Sequence, residues 1–302
     1  MSYPYLSDLF HALLHIDVYA PIPMFGIFVA FAVLAATSVF RRAVLRAEDI
    51  GRLPGNAHLA VGDLAWVTLI AGILGARIFH VMDHLDVYQQ DPAAMVFSRG
   101  GFSIFGGLCF GLTAGIFLVR LRDLPVVPML DAVAPALMLG YAIGRIGCQV
   151  SGDGDWGIIV NQALKPEWLP TWLWAQTYDG NILGVTIAPP GVYPTPLYET
   201  AAAFLLFGAL RWWTMRTWPV ASTFAMYLIL TGFERLLIEK IRVNPRLSMF
   251  GGYLTQAELI SIAAVTVGSL LIVTRLTTMG HLLRLGVGLG LLALLSACVV
   301  IG

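Results

Sequence analysis

Arg145 stands in the run Gly140-Tyr141-Ala142-Ile143-Gly144-Arg145-Ile146-Gly147-Cys148, which closes a membrane-length apolar segment and leads to Asp153, Asp155, Trp156 and Gly157. A charge at bilayer depth is costly unless it is paired, hydrated or bound, so an intramembrane arginine marks a functional site by default. Arg77 and Arg235 lie in two other apolar segments. Arg235, Glu239 and Arg242 are spaced i, i+4 and i+7, which predicts one helical face. A carboxylate between two guanidiniums would fix their orientation and leave donors free. Guanidinium forks match phosphate oxygens bidentately and stay charged when partly desolvated. The triplet alone also reads as a structural ion-pair ladder. With Arg145 and Arg77 added, the pattern points to an anion site between helices.

The elements that must carry these groups follow from composition. Of 302 residues 58% are hydrophobic and only 12% charged, against about 25% charged in soluble domains, and mean hydropathy is +0.79. The chain reads as an all-α polytopic membrane protein. Zero net charge gives no basic balance for nucleic acid. Apolar runs of spanning length fall near 21–40, 60–82, 104–121, 126–148, 196–214, 219–240, 256–274 and 282–301. They predict a bundle of seven to eight transmembrane helices, the eighth being the weakest candidate for a full crossing. Gly107, Gly111 and Gly115 form successive G-x-x-x-G steps, which favour close helix packing over catalysis.

Connections after odd-numbered segments carry Arg41, Arg42, Arg46, Arg52, Arg120, Arg122, Arg211, Arg216, Arg275 and Arg284, ten of the 18 basic residues. The positive-inside rule therefore predicts those loops in the cytoplasm and the N-terminus outside. Lys240, Arg242 and Arg246 break the rule, which suggests that these charges serve another purpose. The 149–195 connection, rich in Pro, Gly and Trp, predicts a small extracytoplasmic head. The N-terminus lacks the charged start and cleavage site of a removable signal peptide.

The remaining polar motifs are weaker. Gly100-Gly101-Phe102-Ser103-Ile104-Phe105-Gly106-Gly107 opens the third segment, where backbone N–H groups favour an anion, although glycine pairs also serve turns. Tyr193-Pro194-Thr195-Pro196-Leu197-Tyr198-Glu199 reads equally as a helix start, with Glu199 complementing the positive end of the macrodipole. His80 and His84 share a face with Arg77 but lack a third metal ligand in sequence. His11, His15, His58 and His281 read as solvated. Cys109, Cys148 and Cys298 show no metal spacing. No metal or cofactor is expected.

The order of these motifs resembles the bacterial prolipoprotein diacylglyceryl transferase family from about residue 20 to about 275. LGARIFHV is similar to its second-helix arginine motif, GGFSIFGGL to S-F-H-G-G-L, and GRIGCQVSGDGDWG to G-R-x-G-N-F-x-N-x-E-x-x-G. YPTPLYE is similar to H-P-S-Q-L-Y-E, and RLLIEKIR to R-x-x-x-E-x-x-R. The resemblance implies a seven-helix bundle with a periplasmic head, so 1–275 is expected to form the transferase-like bundle and 276–302 an additional hydrophobic helix. It implies transfer of diacylglyceryl from phosphatidylglycerol to the lipobox cysteine of a prolipoprotein signal peptide, in the bacterial inner membrane. Arg145, Arg235, Glu239 and Asp153 are then expected to be catalytic. Arg77, Arg242, Gly106, Gly107, Gly157, Tyr198 and Glu199 are expected to bind substrate.

Departures from the family pattern bear on the proton. The family histidine before the glycine pair is Phe105, its signature asparagines fall at Cys148 and Ser151, one residue is inserted before Trp156, and family Tyr and His positions hold Phe25 and Tyr193. A phenyl ring accepts no proton, so Asp153, Asp155 or His80 replaces the base, or the base is dispensable, or the chemistry is altered. The alternatives are a phospholipid-binding protein of the same fold without the reaction, and an anion channel or transporter, which would show a repeated half with broken helices.

Overall fold

The computed structural model describes residues 2–16, 20–92, 103–216, 218–244, 246–249 and 252–275. Ten α-helices lie among them: α1 (Leu6–Leu14), α2 (Met24–Asp49), α3 (Ala60–Asp83), α4 (Leu85–Gln90), α5 (Ile104–Leu121), α6 (Val126–Ser151), α7 (Thr171–Trp174), α8 (Thr195–Trp213), α9 (Ser222–Ile238) and α10 (Gln256–Arg275). An antiparallel hairpin, β1 (Arg246–Met249) and β2 (Gly252–Thr255), pairs Arg246 with Thr255 and precedes α10. The protein is an all-α membrane protein, with this hairpin as the one pair of strands among the described residues. Met24–Asp49, Ala57–Asp83, Val126–Ser151 and Gln256–Thr274 are long and apolar enough to cross a bilayer, and Phe105–Leu121 is a shorter apolar helix. α8 and α9 coincide with expected segments but are shorter or more polar, because they carry Glu199, Arg211, Glu234 and Arg235. The expected helix at 282–301 and the Gly100–Phe102 part of the glycine motif lie outside the described residues.

The chain divides into two compact units, Thr37–Ala132 and the remainder. In the first, α5 lies against α3 along its glycine face. Gly106 and Gly75 meet backbone to backbone, and a Cβ added at Gly107, Gly111 or Gly115 would meet Gly72 O at 3.4 Å, Thr68 O at 3.4 Å or Thr68 Cγ2 at 3.0 Å. Phe79 and Phe110 close the contact edge to face at 6.3 Å. Absent side chains let the two backbones approach, which supplies dispersion contacts where lipid leaves little hydrophobic driving force. His58 is not the solvated group expected from its loop position: its Nδ1 lies 3.0 Å from Glu48 Oε2 and its backbone N–H donates to Glu48 Oε1 at 2.7 Å.

In the second unit, Met138 and Ala142 of α6 and Ala203 and Leu210 of α8 form a buried core capped by Met226, Tyr227 and Leu230 of α9. The opposite side of α9 meets α10, with Gly232 against Ser261 and Val265, and Gly268 against Ala225 and Ile229. Pro135 interrupts the hydrogen bonding of α6, which a packed transmembrane helix tolerates. Residues 152–194 make little regular structure but are ordered by main-chain pairing. Bridges join Ile159 and Gln176 to Val192, and Ser2 and Tyr3 donate to Asp179 O and Val150 O, both at 2.7 Å. Tyr178 is buried beneath them and donates to Gln149 Oε1 at 2.8 Å.

Candidate active site

Within the second unit, three arginines and three carboxylates converge from four stretches of chain. Pro194 and Pro196 start α8 at Thr195, so Glu199 sits beyond the first turn of the helix, completely buried. The macrodipole is not its main partner. Arg145, from the last turns of α6, donates to Glu199 Oε2 and to Asp155 Oδ2. Arg235 of α9 donates to Glu199 Oε1 at 2.8 Å, and Arg242 lies 3.4 Å from Glu199 Oε2. Tyr141 adds a hydroxyl donor to Glu199 Oε1 at 3.0 Å. Glu199 is thus the hub that holds three mutually repelling cations together.

The expected face of Arg235, Glu239 and Arg242 does not form. α9 ends at Ile238, a 3-10 turn covers Glu239–Ile241, and Arg242 is extended with φ −91° and ψ 154°. Glu239 meets Arg235 at 3.2 Å in an ion pair outside hydrogen-bond alignment, and accepts from Asn244 at 2.6 Å. Arg242 turns instead to Asp155 Oδ1 at 2.6 Å. Main-chain pairing explains the turn: Gly157 bridges to Arg242, and Ile158 N–H donates to Ile241 O at 2.8 Å. A Cβ at Gly157 would strike Ile241 O and approach Thr195 Cγ2 at 2.9 Å. This glycine therefore allows the loop that carries Asp155 to lie along the segment that carries Arg242.

Burial would raise the Asp155 carboxyl, but Arg145 and Arg242 outweigh it and hold the group at about 2. Asp153 has the opposite balance: burial and then the Asp155 charge raise it. Its Oδ1 accepts from Asp155 N–H at 3.3 Å. Cys148 is buried, with Arg145 Nη1 3.4 Å from its sulfur. Potential ligand atoms of Cys148, Asp153 and Asp155 lie within 4.8 Å of one another, yet both Asp155 oxygens already take guanidinium donors. Asp155 is thus engaged by arginine rather than left open to a metal ion.

Tyr198 points to the loop side and donates to Leu173 O at 2.5 Å. Arg77, Gly106 and Gly107 belong to the α3/α5 unit, where both glycines lie on the face packed against α3. The His80 and His84 rings lie with centroids 4.5 Å apart, tilted by 42°. Glu234 escaped the sequence reading, although a carboxylate inside an apolar helix beside Arg235 was a signal in itself. Its Oε1 is enclosed without a hydrogen-bond partner among the described residues.

The network leaves donors for a ligand. Nε of Arg145 and Nε of Arg242 are buried without partners among the described residues, and Arg235 is the most open of the three arginines, with 24% of its side chain exposed. Two or more guanidiniums with spare N–H groups in a poorly hydrated site bind phosphate oxygens and offset charge developing on them.

The prolipoprotein diacylglyceryl transferase family model matches residues 11–274. Relatives named phosphatidylglycerol–prolipoprotein diacylglyceryl transferase include one from Leptospira interrogans, 36% identical over 152 residues, covering 49% of this chain and 44% of the relative. One from Shewanella sp. (strain MR-4) is 29% identical over 216 residues, covering 70% and 74%. One from Bacillus anthracis is 28% identical over 259 residues, covering 84% and 88%. The chain thus spans less than half the length of the Leptospira relative and most of the other two. Since the family match includes every residue of the arginine–carboxylate network, the chain belongs to the prolipoprotein diacylglyceryl transferase family.

Proposed function

We propose that the protein transfers a diacylglyceryl group from phosphatidylglycerol to the lipobox cysteine thiol in the signal peptide of a prolipoprotein, acting in the bacterial inner membrane. The observation that carries the reading is the convergence of Arg145, Arg235 and Arg242 on Glu199 within the segment that the family match spans. Arg145 and Arg235 hold the phosphate and offset the charge that builds on the leaving glycerol phosphate. Glu239 orients Arg235, and Arg242 supports the charge. Gly157 and Tyr198 shape the substrate site, and Glu199 fixes the guanidiniums. The thiol must ionise to attack. Two carboxylates near the network have no guanidinium ion pair among the described residues, Asp153 and Glu234. The seven segments up to residue 275 cross the membrane, residues 149–195 form the outward head, and the N-terminus is outside.

The reaction is tested by incubating the purified protein in phosphatidylglycerol vesicles with a synthetic lipobox peptide and weighing the peptide, with Arg145→Ala in parallel. A diacylglyceryl mass gain on cysteine with the wild type only is expected. No gain with the wild type, while it still retains phosphatidylglycerol, would overturn the transfer reading and leave a lipid-binding protein.

A further inference from the structure

Tyr227, Leu230 and Glu234 follow one another at i, i+3 and i+7 on α9, one side of the helix. Tyr227 and Leu230 pack against the Met138, Ala142, Ala203 and Leu210 core, so this stripe carries Glu234 toward α6 and α8. The Gly232 side faces α10, where it meets Ser261 and Val265. The charges acting on Glu234 are those of Glu199 on α8, Arg145 on α6, its neighbour Arg235, and Arg242. Tyr141 of α6, bonded to Glu199, shares that field.

A buried carboxylate oxygen without a donor is costly, and such a group in a native interior calls for a reason. The other carboxylates are occupied. Glu199 serves three arginines and a tyrosine, Asp155 two arginines, and Glu239 Arg235 and Asn244. Asp153 accepts from Asp155 N–H and is hydrogen-bonded to Cys148. Among the described carboxylates of the network, Oε1 of Glu234 and Oε2 of Glu239 are buried without a hydrogen-bond partner, and of these two the Glu239 oxygen still has an ion pair, 3.2 Å from Arg235, whereas the Glu234 oxygen has none.

We infer that Glu234 is the proton acceptor for the peptide thiol, an inference that rests on the proposed transfer reaction. The S–H bond breaks and its proton moves to a Glu234 oxygen. The thiolate sulfur bonds to the glyceryl carbon as that carbon's bond to the phosphate oxygen breaks, and the electron pair leaves on glycerol phosphate beside the arginines. The proton on Glu234 then departs with the glycerol phosphate product.

The test compares wild type, Glu234→Gln and Glu234→Asp in phosphatidylglycerol vesicles, with a lipobox peptide carrying cysteine or selenocysteine. A selenol is ionised at neutral pH and needs no base. Glu234→Gln is expected to transfer to cysteine roughly 100-fold more slowly, to retain phosphatidylglycerol as the wild type does, and to recover within a few-fold on the selenol peptide. Its rate on cysteine should rise as pH approaches the ordinary thiol value of about 8.5. Glu234→Asp should fall between the two. Equal slowing on both peptides, or a Gln variant within twofold of wild type on cysteine, overturns the inference while leaving the activity standing. A wild type inactive on both peptides overturns the activity itself. If the Gln variant does not fold, the selenol-to-thiol rate ratio of Glu234→Asp gives the answer: a ratio above the wild type's supports the inference, and an unchanged ratio overturns it.

Discussion

Between α3 and α5 the helices meet at glycine, and between α6, α8 and the end of α9 they meet at charge. In the first contact Gly75 and Gly106 touch through their backbones and Thr68 fills the groove at Gly115. In the second a completely buried Glu199 binds three guanidiniums. Lipid supplies little hydrophobic driving force for either, so one contact uses close approach and the other uses ion pairing. Close approach needs no particular chemistry and can be relaxed by small shifts. The charged contact is costly to assemble, since buried ion pairs seldom exceed their desolvation penalty. That difference argues that the charged contact exists for a ligand and the glycine contact for the fold.

The contrast is tested most severely at Arg145. Arg145→Ala strips partners from both Glu199 and Asp155, and breaking a buried pair in this way costs about 3–5 kcal/mol. Both transfer and phosphatidylglycerol retention should be lost, with a lowered melting temperature in detergent. Wild-type melting together with normal transfer would remove the network from the site. Next in size is Gly75→Ala, whose Cβ would strike Gly106 O and Phe110. Overpacking there should cost about 1–3 kcal/mol and lower thermal stability without changing the pH dependence of transfer. Gly144→Ala, with open space around it, is the control expected to melt as the wild type does.

A third prediction concerns acid. The Asp155 carboxyl is held at about 2 against an ordinary 3.8, so its stabilisation is complete above about pH 4 and is lost as pH falls through about 2. A side chain about a third exposed loses part of this to solvent screening, leaving about 1–2 kcal/mol. Asp155→Asn should melt lower at neutral pH and show a flatter decline between about pH 4 and 2. Parallel curves for the two proteins would contradict this. The smallest effect belongs to the ion pair of Arg122 with Asp63, exposed on both sides. Arg122→Ala should change stability by less than about 1 kcal/mol, measured as the same melting midpoint.

Much of this contrast was legible in the residues. The G-x-x-x-G steps at Gly107, Gly111 and Gly115 announced a helix contact, and apolar runs located every long helix among the described residues. Arg145 and Arg235 stood out because charge is rare at bilayer depth, and Arg242 by its spacing from Arg235 and its break of the positive-inside rule. What spacing alone could not give was the partner of each arginine. The helical face of Arg235, Glu239 and Arg242 assumed a helix running through residue 242, and pairing of Gly157 and Ile158 with the 241–242 segment ends it early. Glu199 read as a helix start because its motif is full of prolines, and only the approach of α6 and α9 to α8 turns it into the hub. Glu234 was legible as a carboxylate within an apolar helix, but its place beside the network follows only from the packing of α9 on α6 and α8.

Arg235 offers the most direct measurement, because it is the most open of the three arginines and leaves the Arg145–Asp155 and Arg242–Asp155 pairs intact when removed. Single-turnover transfer from phosphatidylglycerol to a lipobox peptide by Arg235→Gln, in protein that melts as a folded species, isolates the chemistry from the fold. The guanidinium network predicts a loss of roughly 100-fold or more, with weakened phosphatidylglycerol retention. A folded Arg235→Gln that transfers at the wild-type rate would contradict it.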